Sequence, residues 1–169
     1  DLGMVPDCVP EVMDQLAITA LKVQRMPSEN IPFYNPANAT YLNVVTASTH
    51  DTSTLRQWWQ EDRANTEHYF LEQLKQWGTA PTEMEPGIAE LILKQHLYNN
   101  AMLAIFPIQE FFATDFDLRN SNKDEERINN PAEFPHNWKY RMHLNLETLY
   151  KFENFNTKIA TWVNSSGRG

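Results

Sequence analysis

The stretch "VVTASTHDTSTLRQWW" (Val44–Trp59) decides how this chain is built. A β-branched run at Val44-Val45-Thr46 ends in Ser48-Thr49-His50-Asp51, and a helix-like run starts near Thr54. With the residues before it, Tyr41–Ser48 reads as a buried strand. A strand that passes directly into a helix is the repeating unit of a parallel, helix-covered sheet. The junction also gathers Thr46, Ser48, Thr49, Thr52 and Ser53 around one histidine and one aspartate. Two readings of it stand side by side. Asp51 or Ser53 can cap the helix, because a short oxygen-bearing side chain accepts the free N–H groups of a first turn. Alternatively, the aspartate holds hydroxyls of a substrate while the histidine donates to another.

The same alternation extends outward. Pro10 suits the first position of a short helix with Val12, Met13 and Leu16 on one face. Ala20–Met26 alternates apolar with polar residues and reads as a strand, and Pro27, Pro32 and Pro36 impose a loop after it. The helix from Thr54 carries Trp58 and Trp59. A second, from Asn65 to Trp77, stops at Gly78, and a third spans Glu85–Asn100. Ala101–Phe106 reads as a strand ended by Pro107. The polar stretch from Asp117 to Asn137 is longer than an idle loop. One or two short helices are expected in Leu144–Val163, with a disordered tail over residues 164–169. The expectation is an α/β fold with three parallel strands. A complete (β/α)8 barrel takes about 250 residues, more than the 169 of this chain.

A net charge of −8 argues against a nucleic-acid backbone or an anionic membrane surface, both of which call for a basic patch. No segment reaches the roughly 18–20 apolar residues of a membrane span. Cys8 is the single cysteine, which suits a reducing compartment. The histidines at 50, 68, 96, 136 and 143 show no HExxH spacing. No dinucleotide or P-loop signature occurs, so neither a metal nor a cofactor is expected. "ERINNPAEFPHNWKYR" (Glu126–Arg141) is dense in amide, aromatic and guanidinium groups. That mix suits a neutral polyhydroxyl ligand, or a structured surface loop.

Taken in order, Asp1-Leu2-Gly3, "LKVQRMPSE", "THD", "STLRQWW", "AIFPIQEFF" and "INNPAEFPHNWKYRMHLNLETL" resemble the C-terminal part of a 4-α-glucanotransferase. That is the amylomaltase family, glycoside hydrolase family 77, and the likeness is nearest to the subgroup of the plant cytosolic disproportionating enzyme. The resemblance runs over residues 1–163 and implies strands six (Leu21–Met26), seven (Leu42–Ala47) and eight (Met102–Phe106) of a (β/α)8 barrel. It implies a retaining transfer of glucosyl or α-1,4-glucan units between maltose, maltooligosaccharides and a glycogen-like polysaccharide in the cytoplasm. In such a reaction a nucleophilic Asp forms a glycosyl-enzyme and a Glu serves as acid and then base. Asp51 then falls on the third carboxylate, which supports the transition state, and His50 on its hydroxyl-binding neighbour. Asn129 with Pro131, and Asn137, Trp138 and Arg141, fall on substrate-side segments after the last strand.

In the family, the acid/base Glu directly precedes "DLG", and the nucleophile lies farther upstream. This sequence starts at Asp1. The expectation is therefore an enzyme segment that is inactive alone and self-associates through exposed sheet edges. The alternative is a stand-alone, non-catalytic glycan-binding or assembly module.

Overall fold

A computed structural model describes residues 5–27, 32–133 and 138–169. Helix α1 (Val9–Gln15) precedes strand β1 (Ala20–Val23). After a 3₁₀ turn at Pro36–Asn38, strand β2 (Asn43–Thr46) leads into helices α2 (Leu55–Glu61) and α3 (Arg63–His68). Helix α4 (Pro86–Leu97), strand β3 (Leu103–Ala104) and helix α5 (Ile108–Phe112) follow. A 3₁₀ turn at Lys123–Glu126 and helices α6 (Leu146–Lys151) and α7 (Glu153–Ser165) complete the chain.

The sheet is parallel throughout, in the order β1-β2-β3. Ala20 aligns with Asn43 and Val23 with Thr46, while Val44 and Val45 align with Leu103 and Ala104. Strands joined in this way need a crossover between them, and α2, α3 and α4 supply the one from β2 to β3. The α/β expectation and its strand order therefore hold. The strands are shorter than expected. Ala101–Phe106 reduces to two paired residues, although Ile105 N–H still reaches Val45 O at 3.1 Å. An edge strand has one neighbour to define it, so its ladder ends where that neighbour turns away.

The main core lies between β2 and the following helices. It joins Ala47, Leu55, Trp59, Tyr69, Phe70, Ile88, Ile92 and Leu93. Trp59 is fully buried and its indole N–H donates to Pro81 O at 2.9 Å, so neither its area nor its donor is wasted. A second cluster, Phe112, Leu118 and Phe155, docks the C-terminal helices against α5.

One local expectation needs correction. The helix predicted over Asn65–Trp77 changes its winding. A π turn at Tyr69–Gln73 widens α3, which brings both Tyr69 and Phe70 into the core. Helix α7 runs to Ser165, and Arg168 ties the end down by donating to Leu97 O at 2.7 Å and to Asn99 O at 2.9 Å. Those carbonyls lie at and after the end of α4, where a cation is favoured.

Candidate active site

The polar junction makes a turn before it makes a site. Thr49 N–H donates to Thr52 Oγ1 at 2.9 Å, and Thr52 N–H returns to Thr49 O at 3.2 Å. The cap of α2 is neither Asp51 nor Ser53 but Thr54. Its hydroxyl accepts from Gln57 N–H, and Gln57 Oε1 accepts from Thr54 N–H at 3.1 Å, which completes a capping box. The pattern Thr54-x-x-Gln57 was visible in the sequence. With capping assigned to Thr54, Asp51 is left free for another partner.

Asp51 lies just beyond the C-terminal end of β2. Its Oδ1 accepts from Asn129 Nδ2 at 2.7 Å, and its Oδ2 lies 3.3 Å from His50 Nε2. Asn129 also donates its backbone N–H to His50 O at 3.1 Å, and Arg127 Nε fixes Asn129 O at 3.0 Å. The Trp138 ring leans on His50 with centroids 5.0 Å apart and planes at 39°. Trp138 adopts φ +37°, an uncommon setting for a non-glycine residue. Sequence positions far apart thus meet at one place.

The cluster is open to solvent. The side chains of His50 and Asp51 are 54% and 48% exposed, so a ligand can reach both. Asn129 is buried, and its Oδ1 has no partner among the described residues. A carboxylate, an imidazole and an indole face together match a sugar ring, with polar groups for its hydroxyls and a flat face for its C–H side. Of the other predicted residues, Arg141 is exposed, and among the described residues it donates to Tyr140 O at 3.2 Å and to no member of the cluster. Asn137 lies outside the described residues. Among the described residues no group of three His, Cys, Asp or Glu is placed to hold a metal.

Beneath the exposed turn lies a set of buried charges that sequence reading missed. Glu110 of α5 is fully buried; it accepts from the Ser48 hydroxyl, and Leu55 N–H donates to both its oxygens at 3.1 Å. Arg25, just after β1, donates through Nη1 to Ser53 O and Ser53 Oγ, each at 2.8 Å. Glu126 pairs with Arg56 and accepts from Thr54 Oγ1 at 3.1 Å. Burial pushes the Glu110 carboxyl up to about 7, against the opposing pull of Ser48, Arg25 and the Leu55 amide. Burial also raises Glu126, opposed by Arg56. No local pattern marks these residues, because their partners lie tens of residues away.

An exposed carboxylate at the C-terminal end of a parallel strand lies where the parallel α/β barrel class of enzymes places its catalytic residues. The model of the 4-α-glucanotransferase family, glycoside hydrolase family 77, matches residues 1–147, and the chain belongs to that family. It is 37% identical over 169 residues to the 4-α-glucanotransferase DPE2 of Oryza sativa subsp. japonica, covering 99% of this chain and 18% of that protein. A 4-α-glucanotransferase of Chlamydia muridarum is 31% identical over 170 residues, covering 95% of this chain and 31% of the relative. The fold superposes on an amylomaltase from Streptococcus agalactiae, solved in complex with acarbose, with a TM-score of 0.72 at 18% identity. That match covers all of this chain and 31% of the other. The chain thus spans 18% to 31% of the length of these relatives.

Proposed function

We propose that these residues form a segment of a 4-α-glucanotransferase that moves glucosyl or α-1,4-glucan units between glucans with retention. The observation that carries this reading is the convergence of Asp51, His50, Asn129 and Trp138 at the end of β2, in a chain of this family.

The chemistry follows from the geometry. Asp51 is held from one side by Asn129 and keeps an exposed oxygen toward solvent and His50. A carboxylate so placed accepts hydroxyls of a bound ring and favours the positive charge that develops as the glycosidic bond breaks. His50 donates to a neighbouring hydroxyl, and Trp138 offers its indole face. Bond cleavage itself needs a nucleophilic carboxylate and a proton donor about 5 Å apart. The hydrogen-bonded cluster around Asp51 holds one carboxylate, so the other two are assigned to parts of the enzyme outside these residues. Maltose and maltooligosaccharides serve as donors and a glycogen-like polysaccharide as acceptor, in the cytoplasm. Asn137 and Arg141 are assigned to further sugar contacts.

The test is to supply the full-length protein with labelled maltose and glycogen. Label entering polysaccharide, with an equal amount of free glucose released, supports the reading. Free glucose alone, at two per maltose consumed, identifies a hydrolase and contradicts it.

A further inference from the structure

The turn that carries His50 and Asp51 is held at both ends by buried charge. Ser48 and Leu55 bracket it, and both are bound to the Glu110 carboxylate. Ser53, inside the bracket, is bound twice by the Arg25 guanidinium. Ser48, Ser53, Leu55 and Glu110 are all buried, whereas His50 and Asp51 face solvent. Between the anchors, residues 49–52 are held among the described residues by short bonds among Thr49, Asp51 and Thr52, by the His50–Asp51 pair, by the Trp138 ring and by the two links to Asn129.

Burying a carboxylate and a guanidinium costs several kcal/mol unless each is well partnered. Here the pairing is incomplete, since Arg25 Nε and Nη2 have no hydrogen-bond partner among the described residues. A simple apolar contact between α5 and β2 would meet the needs of the fold at less cost. Glu110 instead uses its oxygens on the one segment that carries the site.

We propose that Glu110 is a positioning residue for glucan transfer, forming with Arg25 a buried clasp that fixes the Ser48–Leu55 turn so that Asp51 meets the reacting ring. This rests on the assignment of Asp51 given above. The charged groups facing Glu110 are Arg25 beside β1 and Glu126 of the 3₁₀ turn, itself engaged by Arg56, while Arg25 is also faced by Glu61 and Arg127. Protonation does not open the clasp. A neutral Glu110 donates to Ser48 Oγ and still accepts from Leu55 N–H, and a glutamine can do the same.

The experiment uses the full-length protein with four variants: Glu110→Leu, Glu110→Gln, Ser48→Ala and Asp51→Asn. Two quantities are read for each: kcat for maltose-to-glycogen transfer, and the Kd and stoichiometry of acarbose by calorimetry. Loss of folded protein lowers the stoichiometry but leaves Kd unchanged; displacement of Asp51 changes Kd and kcat at full stoichiometry. Misplacing a reacting group by about an ångström costs on the order of a hundredfold. Glu110→Leu is therefore expected to lower kcat at least ~10-fold and to weaken acarbose, at unchanged stoichiometry. Glu110→Gln is expected to stay within about threefold of the wild type, and Ser48→Ala to lose about three- to tenfold in kcat. Wild-type kcat and Kd in Glu110→Leu overturn the proposal, as does lowered stoichiometry at wild-type Kd. Should Glu110→Leu yield no folded protein, Ser48→Ala decides in the same terms. Full turnover in Asp51→Asn overturns the site assignment and the clasp together. Loss there, with Glu110→Leu unchanged, overturns the clasp alone.

Discussion

Asn129 Nδ2 donates to Asp51 Oδ1 at 2.7 Å, joining residues 78 apart in sequence. The bond fixes one carboxylate oxygen and leaves the other to His50 and to a ligand. A hydrogen bond to a charged group contributes about 1.5–3 kcal/mol. Asn129→Ala is therefore expected to lower kcat/KM for transfer about 10- to 150-fold in the full-length protein. Steady-state kinetics with maltose and glycogen checks this, and an unchanged value would remove Asn129 from the site.

Trp138 offers a largely exposed ring whose other face meets His50. Loss of an aromatic contact is worth about 0.5–1.5 kcal/mol. Trp138→Ala should raise KM for maltooligosaccharides about two- to tenfold and leave kcat within about threefold, while Trp138→Phe recovers most of the affinity. An effect confined to kcat would point instead to a role in holding His50.

Two buried groups give fold stability opposing pH dependences. Glu110 is raised from 4.5 to about 7, so the folded state holds a proton that the unfolded chain has lost. Its contribution is complete below pH 4.5 and fades as pH rises to about 7. His96 is fully buried and lowered from 6.5 to about 4, mainly by burial. Its contribution is present above pH 6.5 and fades as pH falls to about 4. Each shift corresponds to about 3 kcal/mol, and between pH 4.5 and 6.5 they largely cancel. Glu110→Gln should therefore steepen the loss of stability on acidification, and His96→Gln should reverse its sign. Denaturant midpoints between pH 4.5 and 7.5 test both; parallel curves for all three proteins would contradict the assignment.

Thr54 performs two functions, capping α2 and donating to the buried Glu126. Removal of a cap costs about 1 kcal/mol, and an unsatisfied buried acceptor adds about 1–3. Thr54→Ala should then lose about 2–4 kcal/mol, with Thr54→Ser close to wild type. A loss below 1 kcal/mol would mean that water replaces the hydroxyl.

What could be read in advance followed local rules. The β-branched run at Val44–Thr46, the prolines after Met26 and the helical spacing of Ile88 and Ile92 gave the strand–helix order and the parallel sheet. The resemblance put Asp51, Asn129 and Trp138 on the substrate side, but their contacts with one another were not legible, since no periodicity links positions so far apart. Glu110 lies within "AIFPIQEFF", where no local pattern sets it apart. Its burial depends on Ser48 and Leu55, which approach it only once β2 and α5 are packed. Arg25 was missed likewise, because alternation predicts a strand residue's face and not a grip on Ser53. The Asn65–Trp77 helix was legible as a helix; the π turn within it arises from fitting Tyr69 and Phe70 into one core.

The outer edges of β1 and β3 are unpaired among the described residues, and Leu21, Leu103 and Ile105 are exposed near them. Apolar grooves flank both edges, one lined by Tyr41, Met102 and Leu103, the other by Val9, Ile18 and Leu42. Unpaired edges template association. The 169 residues expressed alone are expected to self-associate at micromolar concentration and to show no glucan transfer. A monomer in sedimentation that binds no apolar dye would contradict the first expectation, and Asp51-dependent turnover the second.

The central claim is that Asp51 acts on the transition state. The most direct measurement is kcat for maltose-to-glycogen transfer by the full-length Asp51→Asn protein, with maltose affinity measured alongside. Removing a preorganised transition-state contact costs on the order of 10²–10³ in kcat. The expected result is a loss of that size with maltose binding within about threefold of the wild type. A kcat within threefold of the wild type would contradict the account.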